Sequence, residues 1–224
     1  MSPGALAAPG KPLIMSFSSR SVLLSWTPAS SLVDQYVVRV RQGEDGAWSD
    51  ARTVLTGSNS SEYNITGLRP FTVYSFKVAG LSELGEEEES AASYYMITLR
   101  EIPSGMPTIT SAYNTSSSSV FLAWAPPHPA TIHGEFLGYR LGYGPRYSDM
   151  EEWAWREVGG EVTKLQLEGL HPFTQYLISL QVRQRHLEVS NQNFGNFVKL
   201  SLQIFNLFKQ FSTLCNDQLS VHNI

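Results

Sequence analysis

The stretch Leu68-Arg69-Pro70-Phe71-Thr72-Val73-Tyr74 returns about 102 residues later as Leu170-His171-Pro172-Phe173-Thr174-Gln175-Tyr176. In the first copy the run beyond it alternates, with Tyr74, Phe76 and Val78 set against Ser75 and Lys77. That is the period-2 pattern of a strand buried on one face. Outward from it, Ser21-Val22-Leu23-Leu24-Ser25-Trp26 places Val22, Leu24 and Trp26 on one face, and the run 35–41 does the same with Tyr36, Val38 and Val40. Tyr63 and Ile65 flank Asn64, and a last alternation covers 95–99. Gly, Pro, Asn and Ser clusters at 43–46, 57–61 and 67–70 punctuate these runs. Short strands at such intervals predict an antiparallel sandwich.

The pattern then repeats. Ser119-Val120-Phe121-Leu122-Ala123-Trp124 matches 21–26 at an offset of about 98, and 136–143 stands where 35–41 stood. A period near 100 is too long for a solenoid unit and fits two whole domains. Pro and Gly break both patterns at 100–107, which predicts the boundary there.

Composition narrows the function classes. A chain of 224 residues and 24.9 kDa suits two modules, and 42% apolar residues suffice for their cores. A net charge of −4 offers no basic footprint, which argues against nucleic-acid binding. The single cysteine, Cys215, excludes an intrachain disulfide and a cysteine-rich zinc site. No apolar run of about 18 residues predicts direct membrane insertion. Residues 1–10 lack the basic start of a secretion signal, and Pro and Gly break their apolar stretch, so a cytosolic location as written fits too.

With the strands and their repeat in place, the chain resembles a tandem pair of fibronectin type III domains. The residues that carry this are Pro12 and Pro107 on the first strands, Trp26 and Trp124 on strand B, Tyr36 and Tyr139 on strand C, and the two seven-residue stretches. The resemblance implies an all-β fold of two antiparallel seven-stranded Ig-like β-sandwiches, with Trp26 and Trp124 in the cores. It also implies a tyrosine corner at Tyr74 and Tyr176, where the hydroxyl ties the turn to the backbone. The expected domains are 9–101 and 104–182. The run 123–127 followed by 134–140 is similar to repeats of large adhesion receptors: sidekick-like proteins, the neogenin-related group and receptor-type tyrosine phosphatases.

The second module departs from the family after Val182, with no loop glycine before its last strand, so 183–224 reads as a divergent tail and the sandwich lacks a recognisable strand G. Three readings compete. The alternation over 197–204 completes the sandwich as a strand. Phe197, Leu200, Ile204, Leu207, Phe208 and Phe211 instead share one face of a helix. The third is an unstructured tail that leaves an open sheet edge.

Side chains able to carry chemistry are few. Three Asn-x-Ser/Thr sequons, at Asn59, Asn64 and Asn114, are glycosylation candidates. Asn64 should face outward, and Asn114 precedes a Ser-rich turn, so both are expected to be accessible. Trp153 and Trp155 flank Ala154 and form an adhesive partner surface if exposed, or cover the core if not. The run 86–89 of four glutamates reads as a solvated loop. None of the five histidines has metal-ligand spacing, and no nucleophile elbow, phosphate loop or dinucleotide fingerprint occurs. No cofactor, metal site or catalytic apparatus is therefore expected.

Two function classes fit. The first is a non-catalytic protein-binding and spacer module of a cell-surface adhesion receptor, extracellular in its parent, a fragment or splice form, with a cell-surface, matrix or homophilic partner. The second is an intracellular structural scaffold built from the same modules. The sequons favour the first; the missing signal and the free cysteine favour the second.

Overall fold

A computed structural model describes residues 8–28, 33–83, 85, 87–185 and 197–203, with Glu87 and 197–203 described by backbone alone. The chain divides into two compact units, residues 1–101 and 102–224. Helix among the described residues is limited to the 3-10 turns Trp48–Asp50, Pro129–Thr131 and Met150–Glu152. None is long and apolar enough to cross a membrane.

Unit 1 contains β1 (Leu13–Phe17), β2 (Ser21–Ser25), β3 (Gln35–Gln42), β4 (Arg52–Leu55), β5 (Glu62–Thr66), β6 (Val73–Leu81), β7 (Glu87–Glu89) and β8 (Met96–Ile97). They form two antiparallel sheets. One runs β1-β2-β5; the other runs β4-β3-β6-β7, with β8 also on β6. The alternating positions decide which residues meet between them: Val22, Leu24, Tyr36, Val38, Ile65, Phe76 and Val78 are each at most 1% exposed. Burying a side chain of this size contributes about 1.5–3 kcal/mol. Trp26 and Tyr36, on elements of opposite sheets, meet edge to face with ring centroids 5.1 Å apart, an arrangement that adds roughly 0.5–1.5 kcal/mol to the burial.

The last edge of unit 1 is built unusually. Between β7 and β8 the chain leaves strand geometry, yet β6 keeps its partners. The N–H groups of Ser90 and Ser93 donate to the carbonyls of Val78 and Phe76, both at 2.8 Å. In return the N–H groups of Val78 and Phe76 donate to the hydroxyls of Ser90 and Ser93, both at 2.9 Å. Two buried serine side chains thus take the place of two main-chain carbonyls. Buried backbone donors are satisfied without a regular strand.

Unit 2 repeats the plan with β9 (Thr108–Ser116), β10 (Ser119–Ala125), β11 (Phe136–Pro145), β12 (Ala154–Val158), β13 (Lys164–Leu167), β14 (Gln175–Gln184) and β15 (Phe197–Gln203). Its sheets run β13-β10-β9 and β12-β11-β14-β15. Val120, Leu122, Tyr139, Leu141, Leu167 and Leu180 are fully buried between them. Trp124 and Tyr139 cross the sandwich at 5.5 Å, edge to face, as Trp26 and Tyr36 do in unit 1. β15 lies antiparallel to β14, with Val198, Leu200 and Leu202 as register partners of Leu180, Ile178 and Tyr176. It stands beside β14 as β7 and β8 stand beside β6. Ile204, Leu207, Phe208 and Phe211, which the helical reading also uses, lie outside the described residues.

Candidate functional site

In each unit the outer face of the larger sheet carries the most elaborate side-chain arrangement. In unit 1 this face carries the half-buried Arg39, Arg41 and Lys77, with Ser75 buried among them on β6. Trp48, held by the 3-10 turn, has the Arg41 guanidinium 4.6 Å and the Lys77 ammonium 4.8 Å from its ring. Arg41 is locked in place, donating to the Ser75 hydroxyl at 3.0 Å and the Tyr95 hydroxyl at 2.9 Å. Arg39 and Lys77 are register partners and share Glu89, at 2.6 and 2.9 Å. The glutamate run is therefore not simply a solvated loop. Glu87–Glu89 is β7, and Glu89 is drawn in by the two adjacent outward cations, which both pair with it.

The corresponding face of unit 2 is a trough. Gly142 and Gly144, both buried, alternate with inward Leu141 and Tyr143 on β11. Trp155 and Trp153 from β12 and the residue before it lie flat over these glycines. A methyl group on Gly142 would fall 2.5 Å from Cζ3 of Trp155, and one on Gly144 would fall 2.5 Å from Cδ1 of Trp153. The indoles sit 6.3 Å apart, and the Arg140 guanidinium stacks 4.2 Å from the Trp155 ring. The two tryptophans are thus placed differently. Trp153 is only 6% exposed, because the missing side chain of Gly144 lets it sink onto the sheet. Trp155 is half-buried and remains accessible together with Arg140. The glycines ten residues upstream are the sequence signal for this arrangement, and they are readable only once β11 and β12 are known to pair.

The two seven-residue stretches close alike. The Tyr74 hydroxyl accepts the N–H of Arg69 at 2.9 Å, and the Tyr176 hydroxyl accepts that of His171 at 3.0 Å. In both, the phenylalanine after the proline adopts a left-handed backbone, φ 46° at Phe71 and 58° at Phe173. Such a conformation costs a non-glycine residue roughly 1–2 kcal/mol. Trp26 and Trp124 lie in the two cores, 4% and 3% exposed. The Tyr139 hydroxyl is buried with no well-formed hydrogen bond, and the Trp124 indole N–H beside it is likewise unsatisfied. Burial raises its pKa above the ordinary phenol value, with the adjacent Trp124 indole acting in the opposite direction.

The three sequons are placed differently. Asn59 is exposed in the 57–61 turn, and Asn64 is exposed on β5, a sheet edge. Asn114 departs from expectation. It is half-buried within β9, the register partner of buried Val120, and its carboxamide oxygen is covered.

A recess of about 300 Å³ in unit 1 is lined in part by Arg41, Arg52, Arg69, Asp50 and Tyr74. Its lining contains no Ser, Cys or His to act as a nucleophile or base. Among the described residues no three His, Cys, Asp or Glu side chains come together at a metal-binding distance.

The Fibronectin type III domain family matches residues 7–95 and 105–192. The receptor-type tyrosine-protein phosphatase mosPTP-1 of Aedes aegypti is 44% identical over 182 residues, 78% of this chain and 14% of its own length. Protein sidekick-2 of Mus musculus is 35% identical over 140 residues, 60% of this chain and 6% of its own. The cell adhesion molecule Dscam1 of Drosophila melanogaster is 26% identical over 176 residues, 75% of this chain and 9% of its own. The chain thus spans a small part of each relative. The crystal structure of chicken CNTN1 FN1-FN3 domains superposes with a TM-score of 0.63 at 18% identity, covering 91% of this chain and 68% of that one, a likeness of fold.

Proposed function

This chain belongs to the fibronectin type III family, and we propose that it is a non-catalytic protein-binding and spacer segment of a longer cell-surface adhesion receptor, placed on the extracellular side of the membrane. The observation that carries the reading is the outer sheet face found in both units. Arg41 and Lys77 stack on Trp48, and Arg140 stacks on Trp155. Arginine and tryptophan, held rigid before a partner arrives, are the residue types that dominate protein interfaces, because little side-chain entropy is left to lose. The relatives named as a receptor and as a cell adhesion molecule share most of this chain, which supports the same role here. The partner is a protein of the cell surface or matrix, or a second copy.

The test is binding of the purified chain to a panel of secreted receptor ectodomains, with self-association followed by sedimentation. Saturable binding that Trp48→Ala or Arg140→Ala abolishes, with the circular dichroism unchanged, is the expected result. Binding that neither substitution weakens would remove these faces from the reading, and the absence of any protein ligand would remove the binding role.

A further inference from the structure

The three sequons are equivalent as motifs and unequal in the fold. Asn64 is exposed on the edge strand β5, and its register partner Leu23 lies on the outer side of the sheet, between buried Val22 and Leu24. Thr66, two positions on, is exposed as well. Nothing in unit 1 has to move to place a saccharide there. Asn114 is less open: the residue is only partly exposed. It pairs with fully buried Val120, and its carboxamide oxygen is covered. The hydroxyls that follow it are already engaged: Thr115 with Ser119 at 2.7 Å, and Ser116 with Ser119 at 2.6 Å and with the N–H of Ser118 at 3.1 Å. A polar, bulky saccharide at that position would open the β9–β10 end of the sandwich.

We propose that Asn64 is an N-glycosylation site of this protein and that the fold excludes a glycan from Asn114. This rests on the extracellular reading above, since the modification belongs to the secretory route. The co-reactant is a polyprenyl-pyrophosphate-linked oligosaccharide. The Nδ2 of Asn64 forms a bond to the anomeric carbon of the first sugar, and the bond from that carbon to the pyrophosphate oxygen breaks. One proton leaves Nδ2 to a base of the transferase, and the lipid pyrophosphate departs. Because the transfer takes place on a chain still folding, the structure acts as a filter. Chains modified at Asn64 complete unit 1, whereas chains modified at Asn114 do not complete unit 2.

The test uses the whole 224-residue chain behind an added secretion signal, expressed in mammalian cells. Protein from the medium is treated with peptide N-glycosidase in heavy-oxygen water, and its peptides are mapped by mass spectrometry. Asn64 is expected to be converted to labelled Asp and Asn114 to stay unlabelled, including in Ser116→Thr, which offers the transferase the other acceptor hydroxyl. Asn64→Gln is expected to remove one step of gel mobility, and Asn114→Gln none. An unlabelled Asn64, or a labelled Asn114 in secreted protein, overturns the proposal. Should the chain be retained in the cell, the trypsin-resistant fraction is mapped and read by the same criteria. The extracellular reading is tested apart from this, on the endogenous protein without an added signal. If that protein carries no glycan while the signal-bearing chain is labelled at Asn64, the compartment is wrong and the site assignment stands.

Discussion

Two tyrosines in the core of unit 2 should respond in opposite directions to the same substitution. Tyr176→Phe removes the hydroxyl that accepts the His171 N–H at 3.0 Å. A neutral hydrogen bond contributes about 0.5–1.5 kcal/mol, and leaving its partner unsatisfied costs about 1–3 kcal/mol, so a loss of about 1–2 kcal/mol is expected. Tyr139→Phe removes a buried hydroxyl that makes no well-formed hydrogen bond, the Trp124 indole N–H beside it being a poorly aligned donor. Burial of such a group costs roughly 1–3 kcal/mol in proteins. Its removal should therefore be neutral or stabilising by about 1 kcal/mol, once the small void is allowed for. The two variants should differ by about 2 kcal/mol, which separates their melting temperatures by roughly 8–16 °C for a domain of this size. Calorimetry and urea titration of the whole chain, with the tryptophans as probes, would measure it. The expectation has a pH arm. Because burial raises the Tyr139 phenol, the folded state favours its neutral form. That stability is fully present below the ordinary phenol value of about 10 and is lost as pH rises through the raised one. Tyr139→Phe should remove this alkaline loss from unit 2. A Tyr139→Phe variant destabilised as much as Tyr176→Phe would refute the reasoning, since the Trp124 contact would then be a full hydrogen bond.

In unit 1, Ser93→Ala strips the buried Phe76 N–H of its acceptor and should cost about 1–3 kcal/mol in urea unfolding. Gly142→Ala pushes a methyl group against the Trp155 ring and should cost about 1–3 kcal/mol, shifting indole emission as Arg140 and Trp155 separate. Phe173→Gly relieves a left-handed backbone at a residue 71% exposed and should raise stability by about 0.5 kcal/mol. Phe71→Gly should gain less in the same melting assay, because Arg100 stacks 4.8 Å from that ring.

The fold was readable because its two main signals are local. Alternation at 21–26, 35–41 and 62–66 names the core directly, and the repeat near 100 residues divides the chain. The corner bonds join residues only five apart, so their spacing survives in a short motif. What escaped depends on pairing across the sheet. Nothing near Trp153 reveals that Gly144 lies beneath it. Asn114 reads as an accessible residue before a turn until β9 is seen to run on to Ser116 and to pair with β10. Ser90 and Ser93 look like ordinary loop residues, since their hydroxyls act as ladder acceptors only where β6 lies alongside. Glu89 reads as one of four identical charges, and only the Arg39 and Lys77 register singles it out.

The serine-stitched edge of unit 1 has a further consequence for a chain that contains near-copies of itself. Adjacent modules with similar strands risk folding into one another during synthesis, and the last strand to arrive is the one most easily exchanged. Here the Ser90 and Ser93 hydroxyls also donate to the carbonyls of Ala91 and Tyr94, at 3.0 and 2.9 Å. Those acceptors are therefore occupied along the border where a stray strand would dock. The last segment of the module is thus held by side-chain as well as main-chain bonds, which makes it harder to exchange for a neighbour's.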